Sequence, residues 1–314
     1  MNNTIIFNFL RYVYFRGIEY GMSKIYFSLF IAFFLLFNFS CKKSEVQVPS
    51  YIEIKEISVY TNYTTQGSNS SKITDAWIDV DGKNLGAYEL PCKLPVLAEG
   101  KKSITVYPGI KFNGLSSARK INTFYKPYTI EAELEPAKTL SINPSVTYAD
   151  YVKYVWMEDF ESAGVTIVED NNSNSALITD NNTSKVFEGI RCGKFITTTD
   201  KPFFEARSSE SFLLSTTGSN IMIEFNYSCS TTFYFGIVAF GAGGYFESYP
   251  VYSFNASTSS ADQPNWRKIY INLTEPIGSF NTKANNFKMY FQAGTGSGDA
   301  PGEVLLDNIK LIYY

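Results

Sequence analysis

The side chains best equipped for chemistry lie on three alternating stretches. In residues 221–227, Ile221, Ile223, Phe225 and Tyr227 share one parity, with Glu224 and Asn226 on the other. In 266–273, Ile269, Ile271 and Leu273 form an apolar row opposed by Trp266, Lys268, Tyr270 and Asn272. In 287–292, Phe287, Met289 and Phe291 oppose Lys288, Tyr290 and Gln292. Successive strand residues point to opposite faces, so each polar and aromatic set shares a face. Flat rings with polar tips, set beside amides and a carboxylate, can stack on sugar rings and read their hydroxyls. The expected ligand-binding set is Glu224, Asn226, Trp266, Tyr270, Asn272, Tyr290 and Gln292. An ordinary solvated sheet face with cross-strand tyrosine pairs gives the same pattern, and both readings stand here.

Other chemistry is constrained more by absence. The chain has no histidine, which excludes Ser-His-Asp and Cys-His nucleophile systems as usually built, and the His-rich sets of catalytic zinc. Paired carboxylates such as Glu158 and Glu161 could serve a glycoside hydrolase at separations of about 5–10 Å. No hydrolytic motif accompanies them, so no catalytic residue is expected and the chain reads as a non-enzyme. The glycine-rich run Gly241-Ala242-Gly243-Gly244 lacks the strand–helix context of a phosphate loop. Beyond Cys41 there are Cys92, Cys192 and Cys229, an odd number. They read as buried thiols, with a Cys192–Cys229 bridge as the alternative.

The elements that must position these residues are strands throughout, and no stretch beyond residue 41 has helical period. Residues 42–50 form a polar tether. In Tyr51–Tyr60, Ile52 and Ile54 take one parity and Ile57 and Val59 the other, which calls for a bulge or break. A polar loop follows over 61–72. Ala76, Ile78 and Val80 then alternate into Asp81-Gly82, a strong hairpin signal. The run Trp77–Pro108, with Asp81-Gly82, Gly86, Pro91, Leu97, Gly100 and the strand Ser103–Val106, resembles the PEGA-type domain of bacterial surface proteins. That likeness implies a small Ig-like β-sandwich over 51–137, although Gly86 and Pro91 stand further apart than is usual there. Residues 138–150 read as a linker.

Residues 151–314 carry many short strands separated by turn signals, as a sandwich or jelly roll does. Glu158-Asp159-Phe160-Glu161 opens this part. Glu188-Gly189 leading into Gly193-Lys194-Phe195 marks its middle, and Leu306-Asp307-Asn308-Ile309 closes it. Together they resemble carbohydrate-binding jelly rolls. The likeness implies a structural Ca²⁺ between first and last strands, with Glu161 and Asp307 as its ligands. Hard oxygen donors suit that ion, and backbone carbonyls commonly complete its shell. Two solvated carboxylates at strand ends are the alternative. The expected fold class is therefore all-β: an Ig-like sandwich followed by a jelly roll.

Lys24–Cys41 has the order of an export signal: one cation, an apolar run from Ile25 to Phe37, and a small residue, Ser40, before Cys41. The apolar run is shorter than the ~20 residues of a membrane-spanning helix. Asn38-Phe39-Ser40-Cys41 resembles the lipobox of bacterial lipoproteins, which implies lipidation of Cys41 and residence in the cell envelope as an outer-membrane lipoprotein. Met22 begins a complete signal of its own, MSKIYFSLF, and is read as the true start. The net charge is −3 without a basic stripe, which argues against a nucleic-acid partner. The expected function is a lipid-anchored, non-catalytic module for glycan or a surface partner. A purely structural lipoprotein making protein–protein contacts is the main alternative.

Overall fold

The computed structural model describes residues 47–259 and 263–314. The export signal, Cys41 and most of the tether lie outside the described residues. Pro49–Tyr314 form one compact unit. Among the described residues no helix is long and apolar enough to cross a membrane.

The first ten strands are β1 (Ser50–Ile54), β2 (Ser58–Val59), β3 (Asp75–Val80), β4 (Lys83–Glu89), β5 (Cys92–Val96), β6 (Gly100–Lys111), β7 (Arg119–Ile121), β8 (Tyr128–Leu134), β9 (Thr139–Ile142) and β10 (Ser145–Val146). One sheet runs β5-β1-β9, a second β4-β3-β6-β7 with β8 also on β6, and β10 pairs with β2. The parity change after Ile54 is where the chain leaves one sheet for another, so Ile52, Ile54, Ile57 and Val59 are all buried. Asp81 and Gly82 take left-handed backbone angles, φ 50° and 76°. This is the two-residue turn that matches strand twist, and it sets Val80 opposite Lys83.

Two stretches differ from their sequence reading. The 138–150 segment is not a free linker: β9 pairs in parallel with β1, β10 with β2, and Tyr148 is buried. The 61–72 segment contains a short helix, Tyr63–Gln66, and lies as a strap on the second half of the molecule. Its polar side chains find partners there, and hydrogen-bonding capacity alone does not distinguish such a strap from a solvated loop.

The remaining strands are β11 (Lys153–Glu158), β12 (Ile167–Glu169), β13 (Leu177–Asp180), β14 (Cys192–Thr197), β15 (Phe203–Ser208), β16 (Phe212–Leu213), β17 (Ile221–Cys229), β18 (Phe233–Phe240), β19 (Phe246–Phe254), β20 (Arg267–Asn272), β21 (Asn286–Gly294) and β22 (Gly302–Tyr313). They make two six-stranded sheets. One runs β13-β14-β22-β17-β20 with β11 on β22; the other runs β12-β15-β21-β18-β19 with β16 on β21. The molecule is thus an all-β sandwich fold. The apolar rows anticipated on β17, β20 and β21 all face one core between these sheets. Its rings pack closely, as in the stacked pair Phe195–Phe204 with centroids 3.8 Å apart. Cys92, Cys192 and Cys229 are free thiols, so Cys192 and Cys229 are not bridged. Burial pushes the Cys192 thiol up to about 12, which leaves it without a reactive thiolate.

Candidate functional site

The expected ligand set does not assemble on one face. Glu224, Asn226 and Tyr270 lie on the outer side of the β17–β20 sheet, and the first half of the molecule covers that side. Met222, Tyr270 and Ile312 belong to the apolar core of the first half. Glu224 is fully buried, 3.0 Å from Lys268 and 3.8 Å from Lys310, and accepts the Tyr148 hydroxyl at 2.9 Å. Asn226 accepts the Ser70 hydroxyl, and the Tyr270 hydroxyl accepts the Lys72 N–H at 2.7 Å. Lys310 donates to the Ser68 carbonyl, and burial draws its ammonium down to about 8. These residues hold the two halves together; no sugar reaches them. Alternation assigned their face correctly, but it carries no information on what covers a face.

Trp266 and Asn272 flank the same sheet. Trp266 donates its ring N–H to the Lys185 carbonyl at 3.1 Å and packs against Phe187. The Asn272 side chain accepts the Thr274 N–H, and its own N–H is bound by Asn113.

Tyr290 and Gln292 belong to the other sheet and point away from Tyr270. Strand register groups their face into cross-strand rows. Glu205, Gln292, Tyr234 and Ser253 form one row; Arg207, Tyr290, Gly236 and Pro250 form the next; then come Lys288, Val238 and Ser248. Phe246 lies beyond, opposite Phe240. Arg207 and Phe246 stand on strands separated by β21 and β18, a span of about 14 Å on a flat sheet. Their side chains nonetheless approach to 5.8 Å. These two long side chains reach towards each other over the strands between them. This accounts for the burial of Tyr290 and Val238 on an outer face. Gly236 is required beneath, because a Cβ there would overlap the Tyr290 ring.

The polar groups of this face are fixed before any ligand arrives. Arg207 donates to Glu205 through Nε at 3.0 Å and Nη2 at 2.6 Å, and pairs with Asp170 at 2.9 Å. Gln292 donates its amide to the other Glu205 oxygen at 3.0 Å, which leaves the Gln292 carbonyl free to accept. Tyr234 and Phe246 expose large parts of their rings, 40% and 54%. Glu205, Arg207, Tyr234 and Phe246 were missed from sequence. The alternation of FFEARS, with Phe204 and Ala206 inward, was the available signal for the first two.

No protein-family model matches this chain, and no curated protein matches it. Solved structures of similar shape include the CBM22-1 xylan-binding domain of Paenibacillus barcinonensis Xyn10C. It is 11% identical over 52% of this chain and 96% of that one, with a TM-score of 0.38. A family 11 carbohydrate-binding module from Clostridium thermocellum, in complex with a mixed-linked tetrasaccharide, is 16% identical over 51% and 94% of the two chains, with a TM-score of 0.34. The enzymatically active domain of tailspike protein 4 from bacteriophage CBA120 is 11% identical over 46% of this chain and 19% of that one, with a TM-score of 0.33.

The carboxylates Glu161 and Asp307 stand near each other and near Glu188. Burial, with Glu188 and Glu161 adding repulsion, pushes Asp307 up to about 8. One Glu161 oxygen accepts the Ile190 and Arg191 N–H groups, and Asp307 accepts those of Glu188 and Asn308. In chemistry this pair fits a hard cation, which would relieve the repulsion. In number it falls short, since among the described residues no three His, Cys, Asp or Glu side chains are grouped to hold a metal. Glu158 is engaged otherwise: its two oxygens accept the Phe160 N–H and the Thr166 N–H and hydroxyl.

Proposed function

We propose that the protein is a lipid-anchored envelope protein whose β-sandwich binds glycan, without catalysis, on the outer face of β15, β21, β18 and β19. One observation carries this reading. The rings of Tyr234, Tyr290 and Phe246 share that face with the interlocked Glu205–Arg207–Gln292 network. A sugar there would meet stacking area together with hydrogen-bonding groups whose rotamers are already paid for, which lowers the ordering cost of binding. The anchor rests on the Lys24–Cys41 pattern, and the reading of the first half as a PEGA-type spacer rests on the motifs of Trp77–Pro108. Ca²⁺ at Glu161 and Asp307, with backbone carbonyls completing the shell, belongs to the same proposal as a stabilising element.

Titrating the unit 49–314 with neutral β-linked oligosaccharides chosen by glycan array tests the reading. Binding should weaken about tenfold in Tyr234→Ala, which corresponds to roughly 1.4 kcal/mol. A wild-type protein that binds no glycan across a broad array but captures an envelope protein would replace this reading with the structural one.

A further inference from the structure

The outer face of β15, β21, β18 and β19 changes character along its length. Phe287, Met289 and Phe291 of β21 face the core, so Asn286 faces outward with Lys288, Tyr290 and Gln292. Directly opposed residues on paired strands share a side of the sheet. The row through Asn286 joins four strands: Leu213 of β16 pairs with Asn286, Asn286 with Phe240 of β18, and Phe240 with Phe246 of β19. Leu213 is 71% exposed and Phe246 54%. Phe240 is half-buried, and its ring stands edge-on to that of Phe246 with centroids 5.6 Å apart. Single exposed apolar side chains are ordinary on a protein surface, whereas neighbours in one row form a patch.

The other end of the face is polar. Gln292 donates to Glu205 there, six residues along β21 from Asn286, which is about 20 Å at the rise of a strand. Arg207 links the two ends. It donates to Glu205, and its guanidinium also stands 5.8 Å from the Phe246 ring. A ligand that occupies the polar network and extends past Arg207 meets Phe246 next, then Phe240 and Leu213. A bare sugar could stack on the Phe246 ring. Its hydroxyls would gain nothing from the branched aliphatic side chain of Leu213, which is stabilised only when an apolar group removes it from water.

We propose that the glycan bound on this face carries an apolar substituent, an aryl or short alkyl group, which seats on Leu213, Phe240 and Phe246 while the sugar chain engages the Glu205–Arg207–Gln292 network. The inference rests on the reading of this face as a glycan site. It adds the chemical class of the ligand, which is an amphiphilic, substituted sugar and not a plain one.

Calorimetric titration of the unit 49–314 with β-linked trisaccharides of glucose and of galactose tests this, each used as the free sugar, the phenyl glycoside and the hexyl glycoside. At least one glycoside should bind about tenfold more tightly than its free sugar, the gain expected when part of a six-carbon group leaves water. The stronger of the two glycosides identifies the substituent as aromatic or aliphatic. Leu213→Asn should lose most of that gain and keep the free-sugar affinity and the melting temperature, since Leu213 is exposed. Tyr234→Ala should weaken free sugar and glycoside alike. Free sugars that bind as tightly as both their glycosides would overturn the inference and leave the glycan reading standing, as would a Leu213→Asn variant that keeps the full gain. Failure of every probe to bind would overturn both. A dimer in sedimentation that Leu213→Asn abolishes would assign the row to a second copy of the chain and overturn the inference as well.

Discussion

At the scale of single residues, the outer face of β15, β21, β18 and β19 and the acidic cluster make separate demands. Gly236 leaves room for the Tyr290 ring, and Tyr290 in turn forms the floor under Arg207 and Phe246. Gly236→Ala should push that ring outward, cost about 1–3 kcal/mol through overpacking, and weaken glycan binding more than it lowers stability. Urea unfolding and calorimetric titration of the same variant read the two effects separately. Asp307 bears on pH. Its folded-state value of about 8 exceeds the ordinary 3.8, so the folded state holds the proton more tightly. In chelator, this group's contribution should be fully present below about pH 4 and be lost as pH rises to about 8. Asp307→Asn should flatten that slope. Millimolar Ca²⁺ should raise the wild-type melting temperature at pH 7–8 and have no such effect on Asp307→Asn. An identical wild-type melting curve with and without Ca²⁺ would exclude the metal and leave a protonated Asp307.

At the scale of elements, the decisive object is the buried seam between the first half and the sheet of β17, β20 and β22. Glu224 there lies between Lys268 and Lys310, whose side chains are 3% and 1% exposed. Glu224→Gln would strand two buried cations and should destabilise by about 3–5 kcal/mol, as measured by denaturant unfolding. The sequence reading got the strands and their inward rows right, because period-2 alternation is a local property that β17, β20 and β21 each display in full. It could not assign strands to sheets, since pairing partners lie far apart in the chain. Glu224 and Tyr290 therefore seemed to share a face, although they point in opposite directions. It also took the strap and the 138–150 stretch for loop and linker: their polar side chains make contacts with residues more than a hundred positions away, as Ser70 does with Asn226.

At the scale of the whole molecule, the seam removes the independence that two sandwiches in one chain would otherwise have. The unit 49–314 should unfold in a single calorimetric transition with matching van't Hoff and calorimetric enthalpies. Two resolved peaks would show that the halves melt separately. The position of β22 has a further consequence, in time. It is the last strand in chain order, yet it lies inside its sheet, between β17 on one side and β14 and β11 on the other. Ile312 and Lys310 on it also meet the first half. A chain that emerges from a ribosome, or threads through a translocation pore, starting from its first residue must wait with the edges of β14 and β17 open until residues 302–313 arrive. Open edges of that kind invite pairing with other chains. Nascent or stalled chains should depend on a holding chaperone until the final strand inserts, and the finished protein should not.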